Sequence, residues 1–349
     1  MKKCRKGKKG VCAVLTASMI AMLLSGCGGG NTTGETQAAG TTATGSTAES
    51  CITIGVSGTP DLDPAIAATG SSLIAAINMY DTLVHPSDTD EGVTGRVADS
   101  WEVSDDGLVY TFNLKKGIKF HNGEELKASD VVYSMDRLLT IGEGYAYIFS
   151  DFVEPGTTVA KDDYTVEFHL KQSYGPFLNA LVRLFIVSEK EVTENTDASG
   201  SYGEHGDYGK NYLVTHDAGS GAYQAVELVQ QDYFYAEKYD DWFMGWDNEY
   251  APGAFKQMAI TEATTVRTMV NNKELDITDT WQSLETLNAL SQIDGVSIAE
   301  YSNGLEYNMY MNNQAAPLDD INVRRALNCL IDYDTICKTI LVDSTLSAG

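Results

Sequence analysis

The chain has 349 residues, of which 24 are Lys or Arg and 49 are Asp or Glu, for a formal net charge of −25 with neutral histidines. A chain this acidic repels phosphate backbones and anionic lipid surfaces, which argues against nucleic acid or a charged membrane face as partner and leaves a cationic ligand open. Its six cysteines, three of them within the first 27 residues, give no disulfide framework.

Lys2, Lys3, Arg5, Lys6, Lys8 and Lys9 precede an apolar run over residues 11–24, the pattern of a secretory signal peptide spanning residues 1–26. The run is shorter than the ~17–25 residues a spanning helix needs. It ends Leu24-Ser25-Gly26-Cys27, which resembles a bacterial lipobox. That resemblance implies cleavage before Cys27 and lipid on its thiol, a tether that is stable with two or more acyl chains because each buried methylene contributes ~0.8 kcal/mol. Residues 27–50 are rich in Gly, Thr, Ala and Ser and bury nothing, so they read as a flexible linker with a reach of about 25 Å. Without the six basic residues of the signal, the remainder carries about −31.

Residues 51–56 alternate and predict a strand, residues 58–64 a loop, and residues 71–83 a helix, from Leu73, Ile74, Ile77, Tyr80 and Leu83. Residues 101–104 and 109–114 predict strands joined across Asp105-Asp106-Gly107, with Tyr110, Phe112 and Leu114 on one face. Val131, Val132, Met135, Leu138 and Leu139 then form a helical stripe. Strands follow over 164–170, 222–228 and 275–278, and helices over 176–185 and 264–270. Residues 199–221 read as a long loop or hinge approach. This mixed order of strands and helices predicts an α/β fold, without internal repeats. Cys51, Cys329 and Cys337 are expected to be buried thiols. On one helix, Cys329 and Cys337 would stand ~12 Å apart, beyond the ~7 Å that a bridge tolerates.

Residues 98–139 carry Ser104-Asp105-Asp106-Gly107, Tyr110-Thr111-Phe112, Leu114-Lys115-Lys116-Gly117, Lys119-Phe120-His121-Asn122-Gly123 and Ala128-Ser129-Asp130-Val131 in order. Leu62-Asp63-Pro64, Gly219-Ser220-Gly221-Ala222-Tyr223, Glu274-Leu275-Asp276-Ile277, Pro317-Leu318-Asp319 and the run over 323–332 extend the series. Together these resemble family 5 of the extracellular solute-binding proteins, the substrate-binding lipoproteins of oligopeptide, dipeptide and nickel ABC importers. Three departures are Lys127 where the family usually has Thr as a helix cap, Ala222 for Pro, and Lys273 for Gly. The cap is expected to weaken or to move to Ser129.

The resemblance implies a bilobal, type II periplasmic-binding-protein-like α/β fold with mixed sheets. Lobe 1 is expected over 51–263, with an inserted subdomain at about 80–200, and an incomplete lobe 2 over 264–349, since family chains commonly run to about five hundred residues. It also implies a monomer, held at the extracytoplasmic face of the membrane by its lipid alone, that closes over a peptide-like solute and delivers it to permease subunits without making or breaking a bond. Thr59 and Asp61 in the loop after the first strand, Tyr145 and Tyr147 before Phe149, and Trp281 are the candidate ligand-binding residues. An exposed aromatic beside a strand end more often packs under a loop, which is the competing reading for each tyrosine.

Glu204, His205, Asp207, His216 and Asp217 gather His and acid groups, but their spacing matches no tight metal pattern and their glycines suit a solvated loop. No metal or cofactor is expected. H-E-x-x-H, G-x-S-x-G and phosphate-loop motifs are missing, which weakens a secreted-enzyme reading but leaves a carboxylate-dependent hydrolase open, because paired carboxylates leave no local motif. A binding lipoprotein that feeds a sensor is a third reading.

Overall fold

The computed structural model describes residues 50–87, 92–248, 250–280, 282–299 and 308–340. The expected signal peptide, Cys27, the linker up to residue 49 and Trp281 lie outside the described residues. The elements are β1 Cys51–Val56, α1 Gly70–Met79, β2 Val84–Pro86, β3 Val93–Gly95, β4 Ala98–Val103, β5 Val109–Leu114, α2 Ala128–Ile141, β6 Thr158–Asp162, β7 Thr165–His169, α3 Phe177–Ala180, α4 Glu189–Glu194, α5 Lys210–Leu213, β8 Tyr223–Val229, β9 Tyr233–Lys238, β10 Ala254–Ala259, α6 Ala263–Asn272, α7 Leu284–Leu290, α8 Ile321–Leu330 and α9 Tyr333–Thr335.

Two four-stranded sheets carry the architecture. One has the order β1-β10-β9-β8, mixed because β1 runs parallel to β10 while the other pairs are antiparallel. The other is antiparallel, β4-β5-β7-β6. Alternation in β5 buries Tyr110, Phe112 and Leu114 on one face, as period-2 patterning requires. The turn into β5 forms because Gly107 takes φ +67 and the Asp106 carboxylate accepts from the Ser104 hydroxyl and the Leu108 amide. Helix α2 lays Val131, Met135 and Leu138 on this sheet beside Phe112, Val166 and Phe168, one core. Helix α1 and the mixed sheet enclose the other, with Met79, Tyr80, Phe234 and Phe255.

Several expectations are corrected. The first helix stops at Met79, because extended backbone at Tyr80 turns its hydroxyl onto the Leu62 carbonyl. The helix over 176–185 divides into α3 and a 3-10 turn, Leu181–Arg183. The strand at 275–278 reduces to a single parallel bridge, Ile54 to Ile277. The cap of α2 stays at Lys127. An ammonium has no acceptor, so Asp130 reaches back instead and its Oδ2 accepts the Lys127 amide at 2.8 Å.

Residues 199–221 form a loop that is solvated only in part, with Glu204, His205 and His216 exposed. They hold α5 and bury Asp207, Tyr208 and Leu213, because the Asp207 carboxylate accepts from the amides of Asp197, Gly209 and Asn211. The cysteine expectation also fails. Cys51 and Cys329 are exposed and Cys337 is half-buried, since Cys51 starts β1 at the surface and no residue of α8 is buried among the described residues. Cys329 and Cys337 stand on different elements.

Among the described residues three ion pairs, two of them buried and one partly buried at its arginine, lie between the cores. Arg137 of α2 makes a bidentate pair with Asp63, 2.7 Å on each arm, both side chains almost fully buried. Arg96 donates to Asp81 at 2.6 Å, and Ser220 donates to the other oxygen of that carboxylate. Burial pushes the Asp81 carboxyl above its usual range, against the pull of Arg96. His121 meets Asp217 through Nδ1 at 2.8 Å and the Gly221 carbonyl through Nε2 at 3.0 Å, while Tyr239 packs edge-on to its ring. Burial alone would lower the His121 pKa, but the Asp217 carboxylate and the Gly221 carbonyl raise it above the ordinary histidine value. With an acceptor at each nitrogen, the ring is suited to the doubly donating imidazolium.

Candidate functional site

Because β1 and β10 are parallel and Ile277 bridges Ile54 in the same sense, the three segments end at one edge. In open α/β sheets the crevice outside the carboxyl ends of parallel strands is where ligands sit, since chain connections diverge there and leave polar backbone exposed. At this edge the chain presents the loop leaving β1, the turn between β8 and β9, the junction from β10 into α6, and Thr278 with Asp279.

Thr59 is tied into that edge. Its hydroxyl accepts the Gln231 amide and donates to Gln230 Oε1, both at 3.3 Å, on a turn where Gln231 holds φ +64. The Asp61 amide donates to Ser72 Oγ at 3.0 Å, which aligns the loop with the start of α1, and Asp61 itself is half-buried. Glu262 turns away from ligand duty. It caps α6, and hydrogen bonds from the side chain and amide of Thr264 and from Thr265 hold its pKa at about 2. Gln282 donates to Asp279 at 2.9 Å, and the candidate Trp281 lies outside the described residues.

Tyr145 and Tyr147 lie on a separate loop, which meets the segment that follows Asp61. Gly142 ends α2 in the left-handed region, and Gly144, at φ +52, lies so close to Ala65 that a Cβ there would sit 2.6 Å from the Ala65 carbonyl oxygen. Only glycine satisfies both conditions. The 142–147 loop is thereby seated on the segment that continues from Asp61. The two tyrosine rings stand 6.5 Å apart, Tyr147 is 70% exposed, and the Arg183 guanidinium lies 5.0 Å from the Tyr145 ring centroid. No carboxylate lies within ion-pair distance of Arg183 among the described residues. Sequence reasoning missed Arg183, which sits in a short apolar turn without any motif. It also missed the Asp63–Arg137 pair, for which there was a signal. Asp130, Ser134, Arg137 and Ile141 recur at helical spacing, so a charge stands on a buried row.

The five-residue His and acid group does not converge. Asp207 serves backbone amides within its own segment, and Asp217 serves His121 and the amides of Gly219 and Ala225. Among the described residues no group of three or more His, Cys, Asp or Glu is placed to hold a metal. A groove of about 530 Å³ opens along β8, lined by His121, Glu191, Tyr212, His216, Asp217 and Glu227. Its polar groups are largely spent on one another, as Tyr212 and Asn122 both donate to Glu191 and Tyr233 donates to Glu227. The edge at the strand ends is the better candidate.

A family model described as bacterial extracellular solute-binding proteins, family 5 Middle, matches residues 92–348. The chain is 30% identical over 297 residues to the probable D,D-dipeptide-binding periplasmic protein DdpA of Escherichia coli, covering 80% of this chain and 52% of that protein. It is 29% identical over 318 residues to an Escherichia coli dipeptide-binding protein, covering 83% and 56%. It thus spans about half the length of the curated relatives it matches. Among solved structures, DppA from Helicobacter pylori in complex with peptide STSA aligns with a TM-score of 0.68 at 23% identity, over 84% of this chain and 58% of that one. NikZ from Campylobacter jejuni in complex with Ni(L-His) aligns with a TM-score of 0.69 at 19% identity, over 84% and 55%. These likenesses give the fold, the α/β mixed-sheet fold of type II periplasmic binding proteins.

Proposed function

The chain belongs to the bacterial extracellular solute-binding proteins, family 5, and from that premise we propose that it captures a small, peptide-like solute and delivers it to the permease of an ABC importer. The reading is supported by the polar edge at the carboxyl ends of the parallel segments, which carries Thr59 and Asp61, and by the loop of Tyr145 and Tyr147 being seated through Gly144 on Ala65, four residues beyond Asp61. Such an edge can bind main-chain groups of an extended ligand by hydrogen bonds and cover its side chains with aromatic faces. Lobe 1 is residues 51–263, with the subdomain at about 80–200 inserted, and residues 264–349 supply part of the opposite wall, including Trp281. Capture by closure makes no bond, so the protein is not an enzyme.

The chain works as a monomer on the extracytoplasmic side of the membrane, held by lipid on Cys27. Basic residues before an apolar run and the Leu24-Ser25-Gly26-Cys27 sequence support this address.

A thermal-shift screen of the chain lacking residues 1–26 against dipeptides, oligopeptides and nickel chelates tests the reading. A captured solute at a hundred times its Kd stabilises by about 2.7 kcal/mol. Tyr147→Ala is then expected to weaken capture about tenfold, within the ~1–2 kcal/mol scale of an exposed aromatic contact, without moving the unliganded Tm. Chemical turnover of the solute would replace the receptor reading with a secreted hydrolase. Incorporation of labelled lipid into Cys27→Ala cells would overturn the anchor.

A further inference from the structure

Two candidate ligand stretches, residues 59–61 and 145–147, are far apart in sequence, yet both rest on the segment Leu62-Asp63-Pro64-Ala65. Asp63 Oδ1 accepts the Ala65 amide at 2.9 Å and one Arg137 arm, and Oδ2 accepts the other arm. Gly144 is seated against the Ala65 carbonyl and the Ile66 backbone. The third Arg137 donor, Nε, reaches the Tyr208 carbonyl at 2.8 Å, and Tyr208 is one of the few non-glycine residues here with positive φ, at +57. That strained conformation aims the carbonyl at Arg137, and strain of this kind persists only where the surroundings over-determine it. Each of the three guanidinium nitrogens is thereby engaged, two on the strand-end loop through Asp63 and one on the 199–221 segment through Tyr208, while Arg137 itself belongs to α2, which ends at Ile141 just before the Gly142–Tyr147 loop. A planar fork fixes direction as well as distance, which a lysine cannot do.

We propose that Arg137 is a positioning residue for solute capture: its pair with Asp63 sets the spacing between the Thr59–Asp61 and Tyr145–Tyr147 stretches, so that both ligand-facing stretches move together when it is lost. The proposal rests on the solute-capture reading of this edge. A purely structural ion pair would behave differently, because well-packed apolar replacements of a buried pair are commonly neutral or stabilising.

The test uses the chain lacking residues 1–26 and compares wild type, Arg137→Lys, and the double variant Asp63→Leu with Arg137→Met, by hydrogen–deuterium exchange without ligand. Exchange of residues 57–66 and 142–148 is expected to rise together at least tenfold in the double variant, while β5 stays at the wild-type rate. Arg137→Lys, which keeps the charge but not the fork, is expected to raise both segments to an intermediate degree, and it keeps the test decisive should the double variant not fold. Unchanged exchange in both segments, or a rise in only one, overturns the coupling. Solute capture by thermal shift is scored separately with the dipeptide or chelate that stabilises wild type most. Affinity in the double variant is expected to fall at least tenfold, and equal affinity would overturn the positioning role. Should no tested solute stabilise wild type, the capture reading falls, and with it the positioning role, while the exchange result still reports whether the two loops are coupled.

Discussion

Residues 50–260 and residues 263–340 meet the same physical demand in different ways. In the first region the apolar faces of the two longest helices find partners. Helix α2 covers the antiparallel sheet, α1 covers the mixed sheet, and three ion pairs hold the two cores in register. In the second, α6 and α7 close only a small cluster around Ile260, Val266, Leu275 and Leu290. Helix α8 carries Val323, Leu327 and Leu330 at helical spacing, yet none of its residues is buried and Leu330 is 78% exposed. An apolar stripe states that a helix requires a partner, and it forms whether or not the described residues supply one.

The comparison can be broken first at Phe112. It is fully buried among Trp101, Phe168 and the α2 stripe, so Phe112→Ala is expected to cost about 3–5 kcal/mol in a chemical denaturation experiment. A loss under 1 kcal/mol would mean that this core is not the seat of stability.

The next effect lies at the seam. A group whose folded pKa is raised contributes stability that is present in full below its unfolded value, 6.5 for His121, and lost as pH rises through the folded value. Thermal stability is therefore expected to decline with rising pH above 6.5. Asp217→Asn should flatten that decline and remove about 1.5–3 kcal/mol at pH 6, the range for a hydrogen bond to a charged group. An unchanged slope would show that another group governs it.

A smaller gain should appear in the second region. Lys273 ends α6 at φ +61, in the left-handed region that favours glycine. Lys273→Gly is expected to stabilise by about 0.5–1 kcal/mol, read as a shift in denaturation midpoint. The smallest effect belongs to Leu330→Ala, within about 0.5 kcal/mol for an exposed site. A cost of several kcal/mol there would erase the contrast, since it would require α8 to be packed.

Much of the first region was legible in the sequence. Alternation at Tyr110, Phe112 and Leu114, the Asp106-Gly107 turn and the stripe through Met135 are local statements, and period and turn chemistry fix them before any long-range contact forms. The strand at 275–278 was over-read for the same reason, because alternation alone cannot say how many ladder bonds a neighbour will supply. Of the candidate ligand residues, Thr59 and Asp61 followed from a loop after a first strand. The seating of the Tyr145 loop did not, because it depends on Gly144 meeting Ala65 across a long sequence separation. Residues 199–221 looked solvated by composition, yet Asp207 consumes its carboxylate on nearby amides and lets part of the segment be buried.

What the sequence determined by itself was the class of the protein: an acidic α/β chain with the ordered turns and aromatics of its family. Those features are encoded residue by residue, in charge, period and backbone preference. The tertiary structure alone decided that Arg137, Asp63 and Tyr208 meet, that His121 finds an acceptor at each nitrogen, and that Gly144 seats its loop against Ala65. Each depends on a direction in space between groups far apart in the chain, and a buried charge finds its partner only once the fold has removed water from around both.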